Sequence, residues 1–155
     1  MGRQVLYVVR ERCTACMKCV FTCSLVKDGV LDPTHARIRV VGRGDVALDV
    51  DLCRHCDPAP CAEVCEFGAI KVVNGTVVLV QERCTTCKAC MSVCPFGAIT
   101  DSGGGALIKC DLCGGDPECV KVCPHDALIF EPPANLRHRI PNGPAEGIKE
   151  LLGGR

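Results

Sequence analysis

Residues 84–95 read Cys-Thr-Thr-Cys-Lys-Ala-Cys-Met-Ser-Val-Cys-Pro, a C-x2-C-x2-C-x3-C-P run. Thiolates at this spacing are the ligand pattern of [4Fe–4S] clusters. Cys84, Cys87 and Cys90 are close enough in sequence to fold over one face of a cubane, each on a different iron. Cys94 lies too far along to close on the same cube and is left for a neighbouring cluster. Pro95 has no N–H and a fixed φ, and it turns the chain away from the site.

Three further runs vary this one. Cys13, Cys16, Cys19 and Cys23 repeat the x2, x2, x3 spacing, with Ser24 in place of the proline. Cys53, Cys56, Cys61 and Cys65 are spaced x2, x4, x3; Asp57-Pro-Ala-Pro60 lengthens the middle gap, and Glu66 stands where proline is usual. Cys110, Cys113, Cys119 and Cys123 are spaced x2, x5, x3 around Gly114-Gly-Asp-Pro117, and Pro124 follows. The segments Cys65-Glu-Phe-Gly-Ala-Ile70, Cys94-Pro-Phe-Gly-Ala-Ile99 and Cys123-Pro-His-Asp-Ala-Leu128 are versions of one repeated unit. All 16 cysteines fall into these runs, with none left over.

Disulfides are disfavoured, because no signal peptide is visible and the close triplets are poor partners for one another. Zinc prefers two cysteine pairs about one tetrahedral ion. The widened runs, taken alone, fit that pattern; the compact runs, with a third cysteine in each triplet, do not. Four [4Fe–4S] clusters are the reading that uses every cysteine. A catalytic cluster needs an iron with an open position, and 16 cysteines give each iron of four cubanes its own thiolate. No dinucleotide fingerprint appears either. The chain is therefore expected to have no catalytic site of its own and to carry electrons. Its ligands, hydrogen bonds to sulfur and burial would set the potentials.

His55, between Cys53 and Cys56, is placed to donate an N–H to sulfur; the ordinary alternative is exposure or a bond to backbone. His35, His125 and His138 carry no ligand spacing. Phe21, Phe67 and Phe96 recur beside cysteines and are expected to pack around cubanes. Lys18, Lys88, Arg54 and Lys109 lie in or beside the runs, where cations raise potentials or steer partners, though solvated surface is the default.

The elements between the runs read as short strands. Residues 4–9 are apolar and β-branched, and they lead into the first run. Val26-Lys-Asp-Gly29 reads as a turn, and Asp32-Pro33 breaks the chain. Residues 37–41 and 46–50 form a hairpin about Gly42-Arg-Gly-Asp45, which lacks the spacing of a phosphate loop. Asn74-Gly75 between Ile70-Lys-Val-Val73 and Thr76-Val-Val-Leu-Val80 is the strongest hairpin signal in the chain. Ser102-Gly-Gly-Gly105 is a loop. From Glu131 the chain holds no cysteine and is broken by Pro132, Pro133, Pro141 and Pro144, with one short helix expected near 145–152.

The chain has 155 residues, no Trp, one Tyr and four Phe, and its 48% hydrophobic content includes the cysteines. An ordinary core would be thin. Clusters offset that by cross-linking distant segments and binding only the folded state. The formal charge is zero with neutral cysteines. Four thiolate-ligated cubanes of about −2 each would take the chain to about −8, so no nucleic-acid affinity is expected. No apolar stretch approaches bilayer length and no targeting signal is visible, so a cytoplasmic protein without direct membrane insertion is expected.

Four such runs over about residues 4–130, with the second and fourth widened, resemble the four-cluster ferredoxin subunits of multi-subunit oxidoreductases. That family includes subunits beside molybdenum or tungsten enzymes, formate dehydrogenases, hydrogenases and carbon monoxide dehydrogenase. Cys23-Ser-Leu-Val-Lys-Asp-Gly29 through Pro33, with Ala36-Arg-Ile-Arg-Val40, is most similar to the small soluble members beside tungsten aldehyde oxidoreductase or carbon monoxide dehydrogenase. The resemblance implies an α+β fold of two pseudo-symmetric ferredoxin-like modules within residues 1–130, then a Pro/Gly-rich extension over 131–155. It also implies a nested pairing of the runs, first with fourth and second with third. Cluster one would use Cys13, Cys16, Cys19 and Cys123, and cluster four Cys110, Cys113, Cys119 and Cys23. Cluster two would use Cys53, Cys56, Cys61 and Cys94, and cluster three Cys84, Cys87, Cys90 and Cys65. Spacing alone also allows neighbouring runs to pair. The implied partners are a catalytic oxidoreductase subunit, with a tungsten or molybdenum enzyme favoured, and at the other end a flavin reductase subunit or further copies of this chain.

Overall fold

The computed structural model describes residues 3–43, 47–133 and 135. Among them the chain is a small α+β protein in which eight short strands pair as four antiparallel ribbons. Each ribbon is built from an apolar, β-branched run of only a few residues, too short to grow into a broad sheet. Strand β1 (Val5–Val8) pairs with β8 (Leu128–Glu131), Val5 opposite Glu131 and Val8 opposite Leu128. The strand before the first cysteine run therefore closes on the strand after the last. Strands β2 (Ile38–Arg43) and β3 (Ala47–Leu52) form the expected hairpin, extended beyond its sequence limits, with Ile38 opposite Leu52. The centre of its connection, 44–46, lies outside the described residues.

Strands β4 (Ile70–Val73) and β5 (Thr76–Leu79) meet across Asn74 and Gly75, whose φ values are 50° and 78°. Both are positive, as a two-residue type I′ turn requires. Strands β6 (Ile99–Asp101) and β7 (Leu107–Lys109) flank the triglycine loop. The Asp101 carboxylate organises that loop by accepting the N–H groups of Gly103 and Gly105 at 2.9 and 3.1 Å.

Four helices carry cysteines: α1 (Lys18–Asp28), α2 (Pro60–Glu63), α3 (Ala89–Val93) and α4 (Glu118–Lys121). Helix α1 packs on α4, and α2 on α3. The buried side chains fall into two main groups. One joins Leu6, Val8, Ile38, Val50, Leu52 and Leu128; the other joins Ala59, Ile70, Val77, Ile99 and Leu107. Both include cysteines, so the aliphatic core and the sulfur sites share walls. On the β1–β8 ribbon, Val5, Tyr7 and Ile129, with Val9 just beyond β1, form a third buried cluster.

One expectation is corrected. Val26, Lys27 and Asp28 do not form a turn; they are the last turn of α1. The helix ends at Gly29, which adopts φ 71° and donates its N–H to Leu25 O at 2.9 Å. Ser24 permits this. Lacking proline, the chain stays helical past Cys23, and Ser24 is fully buried with its Oγ donating to Phe21 O at 3.0 Å. After Cys65, Cys94 and Cys123 the chain turns instead. Gly68, Gly97 and Asp126 take φ of 59°, 55° and 48° and return their N–H to the cysteine carbonyl at 3.0, 3.3 and 3.4 Å. Glu66 thus sits in the same turn as Pro95 and Pro124. Of the C-terminal stretch, Glu131 belongs to β8, while the helix expected near 145–152 lies outside the described residues.

Candidate iron–sulfur sites

The first and third cysteine runs have one backbone conformation. A single 3-10 turn, Arg10–Arg12 or Gln81–Arg83, delivers the chain to Cys13 or Cys84. Two left-handed residues follow in each loop: Ala15 and Met17 at φ 55° and 61°, Thr86 and Lys88 at 55° and 62°. In the widened runs the left-handed residues are His55 at φ 49° and Leu112 and Cys113 at 57° and 50°. Such conformations cost non-glycine residues about 1–3 kcal/mol each and persist where the surroundings over-determine them, commonly at functional sites. Here they curl each loop around a hollow.

Backbone N–H groups reach five of the sulfurs. Arg37 donates to Cys23 Sγ at 3.3 Å, His55 to Cys53 at 3.3 Å, Ala98 to Cys94 at 3.4 Å, Leu112 to Cys110 at 3.4 Å and Ala127 to Cys123 at 3.3 Å. Donors aimed at sulfur favour the thiolate and tune a cluster that it ligates.

The structure brings Cys13, Cys16, Cys19 and Cys123 to one cavity, with Val8, Val50 and His125 in its wall. A second cavity collects Cys23, Cys110, Cys113 and Cys119. A third collects Cys65, Cys84, Cys87 and Cys90, with Phe67 at its side. Cys53, Cys56, Cys61 and Cys94 share a neighbourhood in which Cys53 and Cys94 act on both Cys56 and Cys61. Cys16 and Cys87 are exposed; Cys53, Cys61, Cys90 and Cys119 are buried.

Burial dominates the electrostatics of the bare thiols. It pushes Cys19 up to about 11, helped by Cys123, Cys13 and Cys16. Burial likewise raises Cys61 to about 11, against the pull of Lys109, and Cys110 to about 12, against the Leu112 N–H. Cys119 is raised further by burial and then by Cys110, Cys23 and Cys19. Thiols so placed keep their protons until cationic iron compensates the thiolate charge, so loading the sites releases protons.

The donors suit polynuclear clusters. A single zinc ion draws four sulfurs to about 2.3 Å from one point. The four cysteines at each of three cavities are instead three from one run and a distant fourth from another, the ligand arrangement of a [4Fe–4S] cluster. The 16 cysteines fit four [4Fe–4S] clusters.

The other candidates divide. His55 is buried, and its Nδ1 accepts the Val77 N–H at 3.0 Å. Its ring proton is then on Nε2, which has no protein partner among the described residues, and the Arg3 guanidinium donates to its backbone carbonyl. Burial, with Lys109 and Arg3 nearby, lowers His55 to about 3, so the ring is neutral. His35 bonds Asp28 at 2.9 Å, and His138 lies outside the described residues. Phe67, half exposed, lines the cavity of the Cys87 site as expected; Phe21 is partly exposed, and Phe96 lies under the Arg54 guanidinium at 5.5 Å. Lys18 and Lys88 are exposed, and Lys88 pairs with Asp101 at 3.1 Å. Lys109 departs from the surface default and is buried. Sequence reasoning also passed over the match of Val9-Arg-Glu-Arg-Cys13 with Val80-Gln-Glu-Arg-Cys84, the visible signal for the two equivalent loop entries.

Fold and donor set define an iron–sulfur protein of the ferredoxin type. A family model described as a 4Fe-4S dicluster domain matches residues 45–132, and the chain belongs to that family. A 4Fe-4S binding domain model matches residues 10–27. Among curated relatives, an "Iron-sulfur protein" of Rhodospirillum rubrum is 34% identical over 54% of this chain and 48% of its own. The "Aliphatic sulfonate oxidoreductase, polyferredoxin-like subunit" of Pyrococcus furiosus is 37% identical over 54% and 50%. The "Electron transport protein HydN" of Escherichia coli K12 is 35% identical over 50% and 48%. The chain spans about half the length of the curated relatives it matches. A chain of the active site complex BamBC of benzoyl coenzyme A reductase shares the fold, with a TM-score of 0.51 at 20% identity over 99% of this chain and 98% of that one. No helix among the described residues is long and apolar enough to cross a membrane.

Proposed function

We propose that the chain is a non-catalytic subunit that relays electrons through four sites between a catalytic oxidoreductase subunit and a redox partner. Bound [4Fe–4S] clusters supply one-electron, outer-sphere transfer. The ligand sets are the nested ones: Cys13, Cys16, Cys19 with Cys123; Cys110, Cys113, Cys119 with Cys23; Cys53, Cys56, Cys61 with Cys94; Cys84, Cys87, Cys90 with Cys65. The observation that carries this reading is the gathering of three of these sets, four cysteines each, around three separate cavities. The β1–β8 pairing supports a module built from the first and last runs, and the α2–α3 packing supports one built from the middle two.

The sets have an order. Cys19 acts on Cys119, and Cys53 acts on Cys110. This supports a path from the Cys16 site through the Cys113 site and the Cys56 site to the Cys87 site. The two exposed cysteines then mark its ends.

For the catalytic partner, a tungsten- or molybdenum-dependent aldehyde oxidoreductase comes first, with the protein in the cytoplasm. Likeness to a polyferredoxin-like subunit of an oxidoreductase supports the subunit role. Formate dehydrogenase, hydrogenase and carbon monoxide dehydrogenase are the alternative; likeness to the electron transport protein HydN supports electron carriage with either kind of partner. Metal analysis of the native complex, purified without oxygen, tests both levels. About 16 iron per copy, at four per cubane, is expected. Tungsten or molybdenum supports the first partner, and nickel transfers the reading to carbon monoxide dehydrogenase or hydrogenase. Iron alone with no companion subunit overturns the relay between enzymes in favour of a free-standing ferredoxin. The pairing is tested separately with Cys23→Ala, Cys110→Ala and the double variant. One shared site predicts that the double variant loses no more iron than either single one; additive loss would refute the nested pairing.

A further inference from the structure

Lys109 ends β7 and immediately precedes Cys110. Its relative exposure is 6%. The ammonium donates to Val77 O at 2.5 Å and to Cys110 O at 2.9 Å. Among the described residues no carboxylate pairs with it; its chain neighbour Asp111 is held by Lys27 at 2.6 Å. Two carbonyl dipoles do not neutralise a buried charge, and an ammonium lacking an anionic partner carries a desolvation penalty. An anion facing it in the assembled protein offsets that penalty.

Its surroundings indicate which anion. Through Cys110 the lysine adjoins one sulfur set. Through Val77, whose side chain packs in the same buried group as Cys61, it adjoins another. Strands β5 and β7, which carry Val77 and Lys109, pack against each other, so the lysine sits where the two sets meet. No other buried lysine or arginine occurs among the described residues.

We propose that the Lys109 ammonium is the buried counter-ion shared by the Cys61 and Cys110 sites and that it raises the reduction potential of both. The proposal rests on the nested ligand sets above. A fixed positive charge favours whichever cluster state is more negative, and each one-electron reduction adds one negative charge. Placed between two sites, it also weakens the repulsion that two reduced clusters exert on each other. The interior pair is thereby held within reach of the outer pair, which lacks such a buried cation.

The test is an anaerobic redox titration of the cluster-loaded full chain, with dithionite as electron donor and EPR as readout. It compares wild type, Lys109→Gln and Lys109→Arg. In Lys109→Gln, two of the four clusters should show about a tenfold lower reduced-to-oxidised ratio at a fixed ambient potential, equivalent to about 59 mV downward for one electron. The other two should not move, and Lys109→Arg should restore the shifted pair. If Lys109→Gln fails to load two clusters that Lys109→Arg retains, the charge is again the cause and the proposal stands. Unshifted potentials with full iron, an equal shift at all four clusters, or equal iron loss in both variants would overturn it. Wild type holding fewer than four clusters would instead fail the underlying reading of the sites.

Discussion

At the scale of single residues, polar groups around the sites act mainly by holding backbone in place. His55 shows this. It lies inside a cysteine run, yet its ring accepts the N–H of Val77, which belongs to a different hairpin. The ring is thus a brace between the Cys53–Cys56 loop and β5. His55→Leu leaves the buried Val77 N–H without an acceptor, and a buried donor left unmade costs about 1–3 kcal/mol. The expected outcome is faster loss of cluster absorbance in urea than in wild type, with iron content unchanged beforehand. An unchanged rate would show that the brace carries no load.

Asp28 braces a different sulfur. Arg37, whose backbone N–H donates to Cys23 Sγ, is clamped through its guanidinium by the Asp28 carboxylate at 2.6 and 2.9 Å. The Arg37 hydrogen bonds hold Asp28 below its ordinary carboxylate value, partial burial opposes them, and His35 assists. A depressed folded-state value means that the stabilisation is fully present above the unfolded value and fades as pH falls through the folded one. The pair is partly solvated, so it contributes about 1 kcal/mol at most. Asp28→Asn should therefore bleach faster than wild type in urea at pH 7, and the two rates should converge as the pH drops below the ordinary carboxylate range. A gap that persists in acid would mean that the carboxylate charge is not what holds Arg37.

At the scale of elements, the position after the fourth cysteine of a run constrains whether the chain turns or continues, without deciding it alone. Pro95 and Pro124 turn it; Ser24 lets α1 run on to Asp28. Glu66 looked like the same departure as Ser24, yet it sits in the turn geometry of the prolines. Two substitutions separate the cases. Ser24→Pro places a proline inside α1, removing a helix hydrogen bond and clashing with the preceding turn, for about 3 kcal/mol or more. It should displace Cys23 and lower the iron content. Glu66→Pro should leave iron content and urea resistance unchanged, because the equivalent turns already accept proline. Equal loss in both variants would break the equivalence of the three turns.

The same elements show why part of the fold was legible in the sequence. The hairpin at 70–79 needs only Asn74-Gly75 and two β-branched runs, a signal contained in ten residues. The cysteine runs are equally local. The turn expected at 26–29 failed because Lys-Asp-Gly reads the same as a turn or as a helix end, and nothing within those four residues decides between them. Lys109 was illegible for another reason. Its burial depends on the Val77 carbonyl, 32 residues away along the chain, and no window around Lys109 contains that information.

At the scale of the whole molecule, exposure is distributed unevenly over the sites. The set containing Cys16 and the set containing Cys87 each present an exposed cysteine, whereas Cys53, Cys61 and Cys119 of the other two sets are buried. Access to the ligating sulfur governs how readily an oxidant or chelator attacks a cluster. Under the nested assignment, loss of iron to ferricyanide should then be biphasic. About half of the iron should leave in a fast phase as the two outer sites fail, and the rest should follow slowly from the interior. Iron analysis and EPR on samples quenched along the course would show two cluster signals surviving after the other two have gone. Such a profile also suits a relay, because exposed end sites can approach partners while interior sites keep their potentials insulated from solvent. A single phase, with all four signals decaying together, would mean that the molecule opens as one unit and that its ends are no more accessible than its middle.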